Sequence, residues 1–164
     1  MADSTDDRDR GPEVLRVALV VDRKMEAPAV ANAVAILMGQ LAHLEPRLYR
    51  SEGVTDPDGN RHAGIRFDTV VLTGRNAQLL RLAAAARERD LSHAVFSTVG
   101  RGLSNQFTAY RDMVERSAAA DLGICAVGVA GCDATVRELT RSFSSYRGSG
   151  GPVATEAAAA GAAP

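Results

Sequence analysis

A chain of 164 residues, 46% of them apolar, can bury one core without covalent staples. Its two cysteines, Cys125 and Cys132, belong to no CxxC pair or histidine cluster, which excludes a zinc ribbon and argues against a disulfide scaffold. The net charge is −1, but residues 1–13 hold five acids and two arginines, leaving 17 basic and 14 acidic residues over 14–147, a core of +3 that is too mild to announce a nucleic-acid binder.

The lead M-A-D-S-T-D-D-R-D-R is polar and acidic, unlike a signal peptide. No apolar run approaches membrane-spanning length, so a cytoplasmic protein with no membrane partner is expected. Residues 1–12 and the Gly/Ala-rich tail 148–164 have almost nothing to bury and read as disordered. One folded domain over 13–147 remains.

Within it, V-L-R-V-A-L-V-V (14–21) reads as a buried strand ended by Asp22. Pro28 suits the first turn of a helix, and Val30, Val34, Leu37, Met38 and Leu41 recur at helical spacing. R-L-Y-R (47–50) reads as a short edge strand, and 56–65 is dense in turn residues. A strand is expected over 66–73, an amphipathic helix over 77–89 and a third strand over 93–98. Phe107, Tyr110, Met113 and Val114 form one stripe of a helix over 106–118. A fourth strand over 122–131 and a short helix over 134–143 complete the series. Strands alternating with helices predict an α/β domain with a largely covered sheet.

Candidate sites are few. D-P-D-G-N opens like a calcium loop, but the twelfth position from Asp56, where such a loop needs glutamate, is Phe67, so no metal is expected there. Cys132 precedes a helix start, a place where a thiol can become nucleophilic, yet His43, His62 and His93 are all remote in sequence. No Ser-His-Asp arrangement or G-x-S-x-G elbow is present, and no cofactor motif is found. The remaining candidate is H-A-V-F-S-T-V-G-R-G (93–102), a strand that empties into a Gly-Arg-Gly loop. Backbone N–H groups of Gly100 and Gly102 beside Arg101 could hold a phosphate or carboxylate, or the loop could be an ordinary turn.

Taken together, V-A-L-V-V-D, A-V-A-N-A-V-A-I-L, D-P-D-G-N-R-H-A-G-I and G-V-A-G-C-D-A-T-V-R-E-L-T-R resemble the bacterial family called domain of unknown function 2000, over about residues 14–147. That family is similar in fold to type II peptidyl-tRNA hydrolase. The resemblance implies a single-layer mixed sheet, mostly parallel and about four-stranded, covered by helices on both faces.

Type II hydrolases cleave the ester between a peptide and the tRNA 3′ end, and the resemblance carries over residue by residue. Lys24 falls just before the place of their functional lysine, which Glu26 or Ala27 occupies. Asn32 stands where the helix glutamine would be, and Ala35 where the histidine would be. Their D-A-G-R-T is matched by T-V-G-R-G: Gly100 and Arg101 are kept, Thr98 replaces the acid and Gly102 replaces the threonine. Thr140 matches a threonine near their C-terminus.

Lys24, Gly100, Arg101 and Gly102 are therefore expected to bind ligand, and Asn32, Thr98 and Thr140 to carry any catalysis. The expected function is binding or processing of a small anionic or acyl-ester ligand. The alternatives are peptidyl- or aminoacyl-tRNA hydrolysis, and a non-catalytic module that binds ligand or forms a homodimer through the sheet edge or the Tyr110 helix.

Overall fold

Leu15–Asp22 form strand β1, and its apolar residues are buried on both faces, as a central strand requires. The computed structural model describes residues 14–148 apart from 51, 65, 100–102, 104 and 105. After β1 come α1 (Ala27–Leu44), β2 (Val54–Thr55), β3 (Arg61–His62), β4 (Asp68–Gly74) and α2 (Asn76–Glu88). They are followed by β5 (Ser92–Ser97), α3 (Phe107–Arg116), β6 (Ile124–Cys132), α4 (Asp133–Thr140) and β7 (Ser144–Ser145).

The main sheet has the order β5-β6-β1-β4-β7, and β2 and β3 make a separate hairpin. β1 pairs parallel with β4 and antiparallel with β6, β6 pairs antiparallel with β5, and β4 pairs antiparallel with β7. Thus β1, β4 and β5 run in one direction, and β6 and β7 run in the other.

The strands expected over 14–21, 66–73, 93–98 and 122–131 are present, but the sheet is five-stranded and three of its four pairings are antiparallel, not mostly parallel. The reason is the β5–β6 connection. Ser97 pairs with Ile124, so β6 enters the sheet at the end where β5 stops. α3 does not run along any strand and has no fully buried residue. Strand–helix alternation in a sequence does not distinguish such an end-lying helix from a crossover that traverses the sheet. β7, two serines long, is too short to leave a period-2 pattern.

The two faces are covered unequally. On one, Leu15, Val17, Leu19 and Val21 of β1 and Ala126 and Ala130 of β6 meet Val30, Ala33, Leu37 and Leu41 of α1. On the other, Ala18, Val20, Val127 and Val129 meet Leu79, Leu82 and Ala86 of α2 and Val136 of α4. Each fully buried Leu or Val contributes about 1.5–3 kcal/mol. By length and composition alone α1 could cross a membrane. Its buried stripe instead makes it the core helix of this face.

Residues 47–50 do not form the expected edge strand: Pro46–Leu48 is a 3₁₀ turn. The Glu45 carboxylate accepts hydrogen bonds from the Arg47 backbone N–H and from its guanidinium at 2.7 Å, while proline fixes the first φ of the turn.

α1 approaches the sheet over a glycine. A Cβ on Gly128 would lie 2.9 Å from Leu41 Cδ1 and 3.1 Å from Leu19 Cδ2. Gly128→Ala is therefore expected to push α1 outward and cost about 1–3 kcal/mol, read in urea unfolding as a lower midpoint with an unchanged slope.

Candidate ligand pocket

The site grows from the geometry of α1. Its buried stripe is Val30, Ala33, Leu37 and Leu41. One residue before each of the last three lie Asn32, Ile36 and Gln40, which therefore form a parallel stripe along the edge of the buried face. α1 lies across β5 and β6, which brings this stripe over the outer part of the sheet.

The space between is a cavity of about 540 Å³ lined by Asn32, Ile36 and Gln40 on the helix side, by Ala94 to Ser97 on β5, and by Leu103 and Tyr110 toward α3. This falls within the usual range for small-molecule sites. The pairing register shifts between Phe96 and Ser97, and irregularities of this kind re-aim side chains at sheet edges and sites. Ser97 is 5% exposed and is one of two buried polar residues among those described.

The chemistry of the lining is neutral. Two carboxamides, a phenol and a hydroxyl stand around an apolar floor, and among the described residues that line the cavity none carries a carboxylate, imidazole, ammonium or guanidinium. Such a set donates to and accepts from a carbonyl or an amide. It holds no general base of the usual kind for activating water.

Of the residues singled out in the sequence, Asn32 lines this cavity. Thr98 directly follows Ser97, is exposed, and donates its backbone N–H to Gly123 O at 3.0 Å. Its hydroxyl occupies the space that a Cβ on Gly123 would need, and Gly123 has φ +59°. Only glycine meets both conditions. Lys24 is exposed in the turn after β1, where its backbone N–H donates to Asp22 Oδ1 at 2.8 Å, and it does not line the cavity. Gly100, Arg101 and Gly102 lie outside the described residues.

Thr140 stands apart from Asn32. It ends α4, on the sheet face opposite α1, is 6% exposed, and donates its hydroxyl to Val136 O at 2.7 Å. The fold thus does not gather Asn32, Thr98 and Thr140 around one point. Gln40, Ser97 and Tyr110 join Asn32 instead. The i, i+4, i+8 spacing of Asn32, Ile36 and Gln40 was legible in the sequence. Tyr110 there belonged to an apolar stripe.

Two other candidates resolve into structure. The Asp56 loop closes on itself: its carboxylate accepts from the N–H groups of Asp58 and Asn60, from Asn60 Nδ2 at 3.0 Å, and contacts His62 Nε2 at 2.9 Å. It is the turn of the β2–β3 hairpin. Cys132 pairs with Leu15, at the end of β1 remote from the Lys24 turn.

The family described as "Protein of unknown function (DUF2000)" matches residues 15–147 of the chain. Among curated proteins nothing matches. A solved structure of similar fold is that of Atu0240, a protein of unknown function from Agrobacterium tumefaciens str. C58. Its TM-score is 0.71 at 14% sequence identity, covering 81% of this chain and 98% of that one.

The Asp56 loop yields a pH expectation. Hydrogen bonds from His62 and Asn60 lower the Asp56 pKa from 3.8 to about 2. A depressed carboxylate pKa stabilises the folded loop fully above 3.8, and that contribution disappears as pH falls from 3.8 through about 2. An NMR titration of the Asp56 carboxyl carbon should show its midpoint near 2 and, in His62→Ala, a midpoint displaced toward 3.8.

Proposed function

The chain belongs to that family of unknown function, and from this premise we propose that it is a ligand-binding protein. Its pocket between α1 and β5 takes a small acyl compound with an apolar body, without turnover. The observation that carries this reading is the neutral lining of the cavity. Asn32 and Gln40 offer amide donors and acceptors to a carbonyl, Tyr110 and Ser97 offer hydroxyls, and Ala94, Phe96, Ile36 and Leu37 take the apolar part. Arg101, which follows β5 in the sequence, is the group we assign to an anionic end of the ligand. The protein acts in the cytoplasm, with no cofactor required.

The resemblance to type II peptidyl-tRNA hydrolase supports a second reading, hydrolysis of a peptidyl or aminoacyl ester. The carboxamide at Asn32 and the G-R-G loop are what this chain retains of that site. Glu26 or Ala27, Ala35 and Thr98 replace the lysine, histidine and acid, so groups that activate water and stabilise an oxyanion are missing from those positions. The core charge of +3 is also small for tRNA. Binding without turnover is the better-supported of the two.

One titration and one assay separate them. N-acetylphenylalanine and its methyl ester are added to ¹⁵N-labelled protein while the side-chain amides of Asn32 and Gln40 are followed. Saturable shifts that vanish in Ile36→Trp, which fills the cavity, with N-acetyl-aminoacyl-tRNA left intact at high protein concentration, are the expected result. Ester or tRNA hydrolysis that Ile36→Trp abolishes would replace binding by catalysis.

A further inference from the structure

A second cavity, of about 430 Å³, lies at the other side of the sheet. It is lined by Arg23, Thr73, Ser144, Ser145, Tyr146 and Arg147. It shares no residue with the α1–β5 pocket, and β6 and β1 separate the two in the strand order. We propose that this cavity is a binding site for a phosphate monoester, its phosphoryl group held between the Arg23 and Arg147 guanidinium groups.

The charge balance of the cavity is the first observation. Two guanidinium groups and four hydroxyl-bearing side chains line it, and no carboxylate does so among the described residues. Neither Arg23 nor Arg147 makes an ion pair with any described residue. Arg16, Arg47, Arg89, Arg111 and Arg137 are all paired with acids. Two like charges facing one concavity repel unless an anion lies between them.

The second observation is that the site is anchored through one strand. The Arg23 backbone N–H donates to Gly74 O at 2.9 Å. Ser144 and Ser145 pair with Thr73 and Leu72, and the Tyr146 N–H donates to Val71 O at 3.0 Å. Arg23 is thus attached to the last residue of β4 on one side, and Arg147 follows a segment paired with Val71, Leu72 and Thr73 on the other. The segment before β7 is seated by a glycine, because a Cβ on Gly74 would lie 2.6 Å from the Phe143 ring. The guanidinium groups start from a backbone already in place, which reduces the ordering cost of binding.

The donor set selects among anions. A carboxylate is satisfied by a single bidentate guanidinium fork. Two forks with hydroxyl groups suit a tetrahedral dianion with more acceptor positions. The cavity is larger than one oxyanion fills, so the anion is part of a larger molecule. The location is also chemically apt: β1 and β4 are parallel and present their carboxyl ends here, where ligands of open α/β sheets bind.

The test is a ¹⁵N NMR titration of the full chain at constant ionic strength, following the Arg Nε–H signals, with inorganic phosphate, glycerol 3-phosphate and acetate as probes. Glycerol 3-phosphate is expected to shift Arg23 and Arg147 saturably, more tightly than inorganic phosphate, with acetate weakest. Arg147→Gln and Arg23→Gln should each weaken binding by roughly tenfold, as expected for loss of one charge-assisted fork. Arg81→Gln on α2 should leave it unchanged. Arg147→Lys, which keeps the charge without the fork, should fall between. Affinity unchanged from the unsubstituted protein in Arg23→Gln or in Arg147→Gln, or shifts that merely follow ionic strength, would overturn the assignment. Neither result bears on the α1–β5 pocket, whose probes are read on Asn32 and Gln40.

Discussion

The structure depends on β6 running antiparallel between β1 and β5. From Ile124 to Ala130 every residue of this strand is buried, and its side chains supply both faces of the core. Its two inner glycines make the fit possible. Gly128 leaves room for Leu19, Leu37 and Leu41, so α1 settles onto the sheet. A Cβ on Gly131 would lie 2.7 Å from Leu91 Cδ2, just before β5 begins. Small residues in a strand interior are unfavourable by propensity. Here they are what allows a helix and a neighbouring segment to approach.

The floor of the α1–β5 pocket follows from that arrangement. β5 reaches the sheet only through β6, and as an edge strand it has a single neighbour. Val95 is 39% exposed there, and Phe107 at the start of α3 is 72% exposed. The pocket therefore forms where covering is incomplete: α1 covers the inner strands, and α3 stands at the end without a buried residue. The same opposite face that buries Thr140 is closed by α2 and α4.

Electrostatics divide the molecule in a similar way. At the amino end of β1, Arg16 lies between Asp68 at 3.5 Å and Asp133 at 3.4 Å, and Asp133 also holds Arg137 at 2.7 Å. The paired arginine network lowers the Asp133 pKa, and a carboxylate in the first turn of α4 complements the helix dipole. Arg23, at the carboxyl end of β1, and Arg147, just after β7, have no such partners among the described residues. Charge at one end is satisfied within the fold, and at the other end it faces a cavity.

Elements with a strong repeating signal were determined by the sequence alone. β1 is a continuous apolar run, α1 carries a helical stripe from Val30 to Leu41, and β4, α2, β5, α3, β6 and α4 all fall where periodicity placed them. The match of the family over 15–147 agrees with the residues that carried the resemblance. The direction of β6, the two-residue β7 and the 3₁₀ turn at Pro46 were decided only in three dimensions, because a sequence repeat reports which face is buried but not which way a strand enters the sheet. The site shows the same division. Asn32 was legible as an amide on a helix. That it meets Gln40, Ser97 and Tyr110, and that Thr140 is turned to the far face, depends on which strand neighbours which. Arg23 and Arg147 lie at opposite ends of the chain segment that folds, and only the pairing of β4 with both β1 and β7 brings them to one cavity.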